Sequence, residues 1–255
     1  MNEIDNYIRQ IVAQHTPNIT YIVQNKINEL LPHINVWANG HKYNLKLSGS
    51  LAKGTGITGT TDIDFFISLD PSVSTCNTLE NVYNTLRNRF NGAGYVTREQ
   101  NVSIGINHSG LKIDIVAGVK HHPLGFDHSI WKRKAQKWTK TNVDEHIKFV
   151  KQSGRIFDIR VIKIWRKLMG LDFPSFYLEL SVIEALKGRS LLSLSPSENF
   201  VQVMNYLAND FVDKVIVDPA NENNEVSEEL TNIEKQAIKD AAKASLRSAW
   251  DHVIY

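Results

Sequence analysis

The feature that most constrains the fold is a pair of aspartates, Asp62 and Asp64, within the strand-forming run TDIDFFISL. Residues i and i+2 of a strand point to the same face, so both carboxylates project together while Ile63 and Phe65 point into the core. Two ionised carboxylates a few ångströms apart repel, and each costs desolvation free energy when buried. A divalent cation relieves both costs, and Mg²⁺ prefers one or two carboxylates together with substrate phosphate oxygens. The pair therefore predicts a strand whose polar face binds a metal-chelated phosphate.

A third carboxylate is expected where two metal ions assist an in-line displacement. The run LKIDIVA supplies it, because its alternate residues are apolar and Asp114 lies on the opposite face. Each motif alone is more often an ordinary strand with a solvent-facing acid, but together they indicate a catalytic site. We predict that Asp62, Asp64 and Asp114 are catalytic and bind two Mg²⁺ ions, for which Mn²⁺ is a substitute.

A glycine-rich turn, LSGSLAKGTG, precedes the aspartate pair. Gly49 lets the backbone approach a ligand closely, and Ser50 offers a hydroxyl and an amide donor. If the following segment opens a helix, its free amides point toward an anion. The natural anion is a triphosphate whose metal ion is bound by Asp62 and Asp64. The alternative is an ordinary turn, because glycine and serine are common in turns.

The chain of 255 residues, 42% of them hydrophobic, is long enough for one large domain or two modest ones. Strand patterns dominate between residues 43 and 117, and helical spacing dominates after about residue 120. We predict an α/β half over residues 1–120, which includes two N-terminal helices. A helical half is predicted over residues 121–255, with a cleft between the halves.

Local signals place the ends of several helices. Thr16 can cap the second N-terminal helix, and Pro17 suits its first turn. Apolar residues at helical spacing predict a helix over residues 79–90. Ser195 and Thr231 each precede a glutamate by three residues, which is the register of a capping box.

Charge is uneven along the chain, although the formal net charge is only +2. Between Trp131 and Lys167, twelve Lys or Arg residues stand against three acids, so this segment could bind a polyanion. The alternative is a solvated helix face, and we assign the tryptophans of this segment, Trp138 included, to the core. The single cysteine, Cys76, excludes an intrachain disulfide and fits a reducing cytoplasm. No apolar run approaches the roughly 18 residues that span a membrane, so we expect a cytoplasmic protein without a membrane partner.

The motifs together resemble the polymerase-β-like nucleotidyltransferases. The spacing is most similar to that of oligoadenylate synthetases and the related bacterial second-messenger synthases, and archaeal-type CCA-adding enzymes share much of it. The residues that carry this resemblance are Gly49, Ser50, Lys53, Gly54, Thr55, Gly59, Asp62 and Asp64. The later segment IRVIKIWRK looks like the helix whose lysine meets the triphosphate in these enzymes, and PSFYLEL looks like their PxYxLEL segment. One departure is Thr60-Thr61, where the family usually has serine or Gly-Ser.

The resemblance implies an α+β fold, a nucleotidyltransferase palm of mixed sheet and flanking helices joined to a C-terminal helical lobe. It implies a nucleoside triphosphate as substrate and transfer of its nucleoside monophosphate to a hydroxyl without a template. The residues that it implies for nucleotide binding are Gly49, Ser50, Lys53, Thr55, Lys163, Ser175 and Phe176.

The acceptor hydroxyl stays open at this stage. The bacterial relatives favour a short oligonucleotide or nucleotide signal, made in anti-phage defence. A second alternative is addition to the 3′ end of an RNA such as tRNA. A third is priming from the protein itself through Tyr255. An inactive nucleotide- or RNA-binding module is the alternative from a different class, and three retained, mutually repelling acids argue against it.

Overall fold

The structure is a computed structural model that describes residues 3–18, 20–59, 62–75, 77–108, 110–190 and 195–255. The expectations for Cys76, Thr60 and Thr61 fall outside these residues. The chain forms two compact units, each built from several segments. The sheet unit comprises Asn18–Ala52 and Thr61–Ile147, and the helical unit comprises Met1–Pro17, Lys53–Thr60 and Lys148–Tyr255. The sequence analysis instead predicts two units that follow one another along the chain and are divided at residue 120.

The helices and strands alternate in the first part of the chain, and helices dominate the last part. The helices are α1 (Glu3–Gln14), α2 (Thr20–Ala38), α3 (Gly49–Lys53), α4 (Leu79–Gly92), α5 (Val143–Gln152), α6 (Ile156–Leu168), α7 (Ser175–Ala185), α8 (Pro196–Asn209), α9 (Asn232–Ser245) and α10 (Trp250–Val253). The strands are β1 (Tyr43–Leu47), β2 (Ile63–Leu69), β3 (Thr97–Glu99), β4 (Ile104–His108), β5 (Leu111–Lys120), β6 (His128–Lys132), β7 (Lys137–Thr141), β8 (Val217–Asp218) and β9 (Asn221–Glu225).

The sheet unit is built on a mixed sheet, as predicted. Its strand order is β1-β2-β5-β4-β3, with β6 paired to β5 and β7 paired to β6. Strands β2 and β5 are parallel, and the other pairs are antiparallel. Strands β2 and β5 lie inside the sheet, and their alternating apolar residues form its buried face. Ile63, Phe65 and Ile115 on that face are 2% exposed or less and pack with α2 and α4.

The strand pattern continues past residue 120, where the sequence indicated mostly helix. Strands β6 and β7 form a hairpin in which Trp131 is paired with Trp138. The apolar signal is weak because Lys132, Lys137 and Lys140 interrupt the apolar residues on both faces of the hairpin. Trp131 packs against the core of the sheet unit, but Trp138 is 58% exposed, so its assignment to the core was wrong.

The helical unit has its own core of aromatic and aliphatic side chains. Trp165 of α6 is fully buried and donates a hydrogen bond from Nε1 to the hydroxyl of Ser245, 2.8 Å away. The capping box at Thr231 is present, with Glu234 bonded back to the Thr231 amide. At Ser195 only half of the box forms, because the Ser195 hydroxyl accepts from the Glu198 amide while the Glu198 carboxylate accepts from Arg189.

The predicted start of the second N-terminal helix was wrong. The helix α2 begins at Thr20, and the Thr16 hydroxyl donates to the carbonyl of Val12 at the end of α1 instead. Within the described residues, no helix combines the length and apolar character that crossing a membrane requires.

Candidate active site

The sheet register brings the aspartates of β2 and β5 side by side. Asp64 and Asp114 are direct partners in the parallel pair β2–β5, so their side chains project from the same face. Asp62 lies just before β2 and acts electrostatically on Asp114. Burial raises the pKa of the Asp114 carboxyl, a hydrogen bond from Gln100 lowers it, and the negative charge of Asp62 raises it again, with a net rise. The predicted triad therefore shares one face of one unit.

Gln100 is a residue of this site that the sequence analysis missed. Its Nε2 donates to Oδ1 of Asp114 over 2.6 Å. Gly105, the partner of Asp114 on β4, leaves room for this bond, since a Cβ there would lie 2.9 Å from Nε2 of Gln100 and 3.1 Å from Oδ1 of Asp114. Only the pairing of β3, β4 and β5 reveals these neighbours, and it was not readable from the local pattern.

Gly49 is required by the position of Asp64. Its φ is +59°, in the left-handed region, and a Cβ at Gly49 would collide with the Asp64 carboxylate. The adjoining backbone is fixed because the Ser48 amide donates to the Asp64 carbonyl over 2.8 Å. The short helix α3 begins here, as expected from the turn, and it carries Ser50.

The chemistry of the three acids fits Mg²⁺. In the described part of the chain, the side chains do not form a metal-binding group of three or more His, Cys, Asp or Glu residues. The donor set is nevertheless three carboxylates on one sheet face, which is what a hard divalent cation prefers. The Gln100 bond occupies one oxygen of Asp114 and leaves the other available as a ligand. Asp62, Asp64 and Asp114 are therefore the residues that would hold the metal.

A cavity of about 170 Å³ adjoins Asp114 on the same unit. Its lining includes Arg98, Asn107 and Lys112 as well as Gly105 and Asp114 itself. Two cationic side chains and an amide beside a carboxylate suit a ligand that carries both anionic and hydroxyl groups.

Three residues predicted to bind the nucleotide meet in the helical unit around a glutamate. Glu179 is fully buried, and its carboxylate accepts from Lys53 at 2.5 Å, Lys163 at 2.6 Å and the Thr55 hydroxyl at 2.5 Å. Lys163 also donates to Thr55 over 3.0 Å. This cluster of four residues is called the Glu179 cluster below. It binds the end of α3, with the residues that follow it, to α6 and α7.

The Glu179 cluster is a compensated buried charge. Burial alone would raise the pKa of the Glu179 carboxyl, but the charges and hydrogen bonds of Lys163 and Lys53 lower it to about 2. Lys163 is 2% exposed, and its ammonium binds Glu179 and Thr55 in this structure. The predicted contact of Lys53, Thr55 and Lys163 with a triphosphate stays a prediction. Glu179 was not singled out in the sequence analysis. It lies in the quoted segment PSFYLEL, where a single acid among apolar helix residues could have indicated a buried charge.

The last two predicted nucleotide-binding residues lie at the start of α7. The Ser175 hydroxyl accepts from Arg166 over 3.1 Å, and the ring of Phe176 lies 4.6 Å from the Lys53 ammonium. Both residues therefore neighbour cationic groups of the helical unit. Their contact with a nucleotide also stays a prediction.

Comparison with known proteins places this geometry in a fold. No protein-family model matches the chain, and no curated protein matches it. Solved structures match over nearly the whole chain. The structure of CdnC from E. coli MS115-1 with ATP has 20% identity and a TM-score of 0.73, and the match covers 93% of this chain and 90% of that one.

Two further matches broaden the comparison. The CD-NTase CdnG of Bradyrhizobium diazoefficiens, in complex with GTP, has 12% identity and a TM-score of 0.73, covering 96% of this chain and 91% of that one. The Cid1 poly(U) polymerase, bound to MgATP, has 12% identity and a TM-score of 0.70, covering 96% and 94%. The chain therefore has the fold of the polymerase-β-like nucleotidyltransferases, as its motifs predicted.

Proposed function

We propose that the protein is a metal-dependent nucleotidyltransferase that moves a nucleoside monophosphate from a nucleoside triphosphate to a hydroxyl group. One observation carries this proposal. Asp64 and Asp114 are register partners on adjacent parallel strands, and a side chain at Gly49 would collide with the Asp64 carboxylate. The fold of solved structures with ATP and GTP supports the choice of substrate.

We assign a separate role to each of these residues of the sheet unit. Asp62 and Asp64 would hold the cation that accompanies the triphosphate. Asp114 would help to hold a second cation and would accept the proton of the attacking hydroxyl. Gln100 fixes the Asp114 carboxylate through Oδ1. Magnesium, when bound, would supply positive charge at the attacking and leaving oxygens of an in-line displacement that releases pyrophosphate. The cavity lined by Arg98, Asn107 and Lys112 is where we propose that the acceptor lies.

The product that we favour is a short oligonucleotide or nucleotide signal, with a role in anti-phage defence. Two solved relatives of the fold are named as cyclic dinucleotide synthases or CD-NTases, which supports this choice. A poly(U) polymerase among them keeps addition to an RNA 3′ end as the second candidate.

Self-labelling at Tyr255 is a weaker candidate. Tyr255 is 58% exposed, but the residue before it, Ile254, is fully buried and its carbonyl accepts from the Tyr7 hydroxyl over 2.8 Å. Tyr255 therefore directly follows an anchored residue, which limits the reach of the phenol.

The test is transfer from labelled nucleotides. The purified protein is incubated with Mg²⁺ and each labelled NTP or dNTP, with and without tRNA, and the products are resolved on denaturing gels. We expect free oligomers or a cyclic nucleotide without tRNA, and loss of product in Asp64→Asn. The matched control is Asp251→Asn, an exposed aspartate of α10. Label that appears only on tRNA would select the second candidate, and label that travels with the polypeptide would select Tyr255.

The proposal fails if the wild type releases no pyrophosphate with any triphosphate, or if Asp64→Asn keeps more than about a tenth of the wild-type rate, which is about 1.4 kcal/mol of barrier.

A further inference from the structure

One face of the sheet carries a row of paired residues that crosses four strands. Asp64 of β2 pairs with Asp114 of β5, and Asp114 pairs in turn with Gly105 of β4. Gly105 pairs with Arg98 of β3. Directly paired residues project to the same side of a sheet, so Arg98 shares the face of the acids. Asp114 therefore lies between Asp64 on one side of the row and Arg98 on the other.

A second basic residue occupies the same face. Lys112 lies two residues before Asp114 on β5 and pairs with Asn107 of β4. Residues two apart on a strand share a face, so Lys112 and Asn107 join Arg98 on the side of Asp114. The intervening residue Ile113 is fully buried in the core on the other side. The register of the sheet therefore places both cations beside the acids.

Both cations are available to a ligand. The side chains of Arg98 and Lys112 are exposed, and neither has an ion-pair partner among the residues that the structure describes. Oδ1 of Asp114 accepts its hydrogen bond from Gln100 instead. After burial, this hydrogen bond and the charge of Asp62, the charges of Arg98 and Lys112 also act on the pKa of the Asp114 carboxyl and lower it. They act on Asp114 from a distance, which leaves their own hydrogen-bond donors for another group.

These groups converge on the cavity beside Asp114, which has a volume of about 170 Å³. Arg98, Asn107 and Lys112 all line it. The backbones of β3 and β5 are about 10 Å apart, because β4 lies between them at the usual strand spacing. The arginine side chain shortens this gap, since a Cβ at Gly105 would lie 3.3 Å from Nε of Arg98 and 3.1 Å from Oδ1 of Asp114. A ligand with a hydroxyl at Asp114 can therefore place an anionic group at Arg98.

A phosphate is the anion that this arrangement favours. Guanidinium and ammonium groups bind phosphate oxygens through charge-assisted hydrogen bonds. A nucleotide carries its hydroxyls and its phosphate on one ribose, so a hydroxyl held at Asp114 brings the phosphate close to the two cations. A nucleoside or a tyrosine side chain has the hydroxyl without the phosphate. The alternative is that Arg98 and Lys112 only offset the negative charge of the acids, which would affect every acceptor alike.

We propose that Arg98 and Lys112 bind a phosphate group of the acceptor, so that the protein selects a phosphorylated nucleotide over a nucleoside or a protein hydroxyl. The inference rests on the proposed function for the transfer itself and adds the class of acceptor. In that transfer the acceptor oxygen bonds to the α-phosphorus, the bond to pyrophosphate breaks, and the hydroxyl proton goes to Asp114. The acceptor phosphate takes no part in bond making. It belongs either to a 5′-monophosphate or to the phosphodiester of a short strand, which share this chemistry.

The experiment compares matched acceptors. The protein receives Mg²⁺, each α-labelled NTP and one of four acceptors, which are adenosine, AMP, ApA and pApA, or their guanosine, cytidine and uridine counterparts. Anion-exchange chromatography resolves the labelled products. We expect kcat/KM to be at least about tenfold higher for a phosphorylated acceptor than for the nucleoside, as for a hydrogen bond to a charged group. A preference for AMP over adenosine identifies the 5′-monophosphate, and a preference for ApA alone identifies the phosphodiester.

Substitution of the two cations separates recognition from charge balance. Arg98→Ala and Lys112→Ala should each lower the preference for the phosphorylated acceptor at least about fivefold, through KM rather than kcat. Arg98→Lys and Lys112→Arg keep the positive charge and should keep part of the preference. Equal losses with every acceptor would mean that the two residues only offset the charge of the acids, and would overturn the inference. Equal use of the nucleoside and the phosphorylated acceptors by the wild type would overturn it as well.

The matched control is Lys42→Ala, which removes an exposed lysine of the same unit. The Lys42 carbonyl accepts from the Asp70 amide, beyond the end of β2 that is remote from Asp64. Its substitution should leave the acceptor preference unchanged, and a loss as large as that of Arg98→Ala would contradict the assignment. Circular dichroism and melting temperature check that every variant is folded.

A binding measurement makes the inference independent of turnover. Isothermal titration calorimetry of Asp64→Asn without Mg²⁺ compares adenosine, AMP and ApA, and adds Arg98→Ala and Lys112→Ala in the same background. We expect AMP or ApA to bind at least about fivefold more tightly than adenosine, and each substitution to remove most of that difference. Equal affinities for all three would overturn the inference.

Failure of this inference is separable from failure of the proposed function. Transfer to nucleosides and phosphorylated acceptors alike overturns the inference and keeps the activity. Binding of AMP or ApA that depends on Arg98 and Lys112, by a wild type that releases no pyrophosphate, keeps the phosphate site and overturns the activity.

Discussion

Gly49 shows how one missing side chain shapes the site. Its backbone is in the left-handed region and its α-carbon lies against the Asp64 carboxylate. Gly49→Ala adds a methyl group that must displace that carboxylate, so we expect nucleotidyl transfer to fall at least tenfold, or about 1.4 kcal/mol of barrier. Initial rates with saturating triphosphate measure the loss.

The control separates the collision from the backbone strain. Gly94 also has a positive φ, +86°, but a Cβ there meets nothing within 4 Å. Gly94→Ala should therefore cost only the conformational strain, about 1–2 kcal/mol of stability, and keep the rate. Equal rate losses in the two variants would contradict the steric role of Gly49.

His128 is a second residue whose surroundings predict a measurable effect. It is 1% exposed, its Nδ1 donates to the Phe126 carbonyl, and its Nε2 accepts from the Ser68 hydroxyl, 2.7 Å away. Burial lowers the pKa of His128 from 6.5 to about 4, with Lys46 among the charges that lower it further. The unfolded chain therefore takes up a proton below pH 6.5 that the folded protein resists.

The contribution of His128 to the free energy of unfolding should therefore be constant above pH 6.5, and the free energy should fall as the pH drops from 6.5 toward 4. The expected loss from His128 between pH 7.5 and 5 is about 2 kcal/mol. Urea unfolding at the two pH values measures it, with His128→Gln as the variant that lacks the titration. Ser68→Ala keeps the buried imidazole and should keep the pH dependence. An identical acid loss in wild type and His128→Gln would contradict the assignment.

At the scale of elements, the Glu179 cluster ties α6, α7 and the segment after α3 together. Lys163→Met removes one of its two cations and leaves a buried carboxylate undercompensated. We expect a loss of about 3–5 kcal/mol in the free energy of unfolding, measured by urea denaturation. The exposed Lys187, 3.7 Å from the half-buried Glu184, supplies the control, because Lys187→Met should change stability by less than about 0.5 kcal/mol. A similar small effect for Lys163→Met would mean that the cluster does not stabilise the fold.

The elements also show what the sequence could reveal. Alternation along the first strand placed Asp62 and Asp64 on one face, and alternation along β5 placed Asp114 opposite the apolar residues of its own strand. That the acids meet depends on the parallel pairing of β2 with β5. Gln100 could not be found in this way, because its contact with Asp114 depends on the pairing of strands distant from it in the chain. The hairpin of β6 and β7 was missed because lysines interrupt its apolar residues. The exposure of Trp138 was misjudged because the pairing that places it at the surface is not visible in the local sequence.

At the scale of the whole molecule, ligand binding should raise the free energy of unfolding. A Mg²⁺-triphosphate complex at a hundred times its dissociation constant stabilises a folded protein by about 2.7 kcal/mol. We expect at least one of the four NTPs to raise the melting temperature by several degrees in the presence of Mg²⁺, and Asp64→Asn to lose the Mg²⁺-dependent part of that rise. Differential scanning fluorimetry measures it without reference to the acceptor. If none of the NTPs shifts the melting temperature, the proposed substrate class is wrong.

The mixed architecture was readable from the sequence, but the composition of the two units was not. Residues 53–60 follow the turn at Gly49 directly, yet they belong to the helical unit because Lys53 and Thr55 are bound to Glu179. Such a crossing depends on contacts between residues more than 100 positions apart, which periodicity and turn signals do not report.

The register of β2 and β5 ties the chemistry of this protein to its folding. Asp64 and Asp114 are 50 positions apart in the chain and become neighbours only when the two strands pair. A slip of one residue would turn Asp114 into the core and Ile115 outward, so no partly misaligned sheet can present the three acids together. If these acids carry out the proposed reaction, catalytic activity reports the correct pairing of β2 with β5, and a refolding chain gains activity only when that pairing is complete.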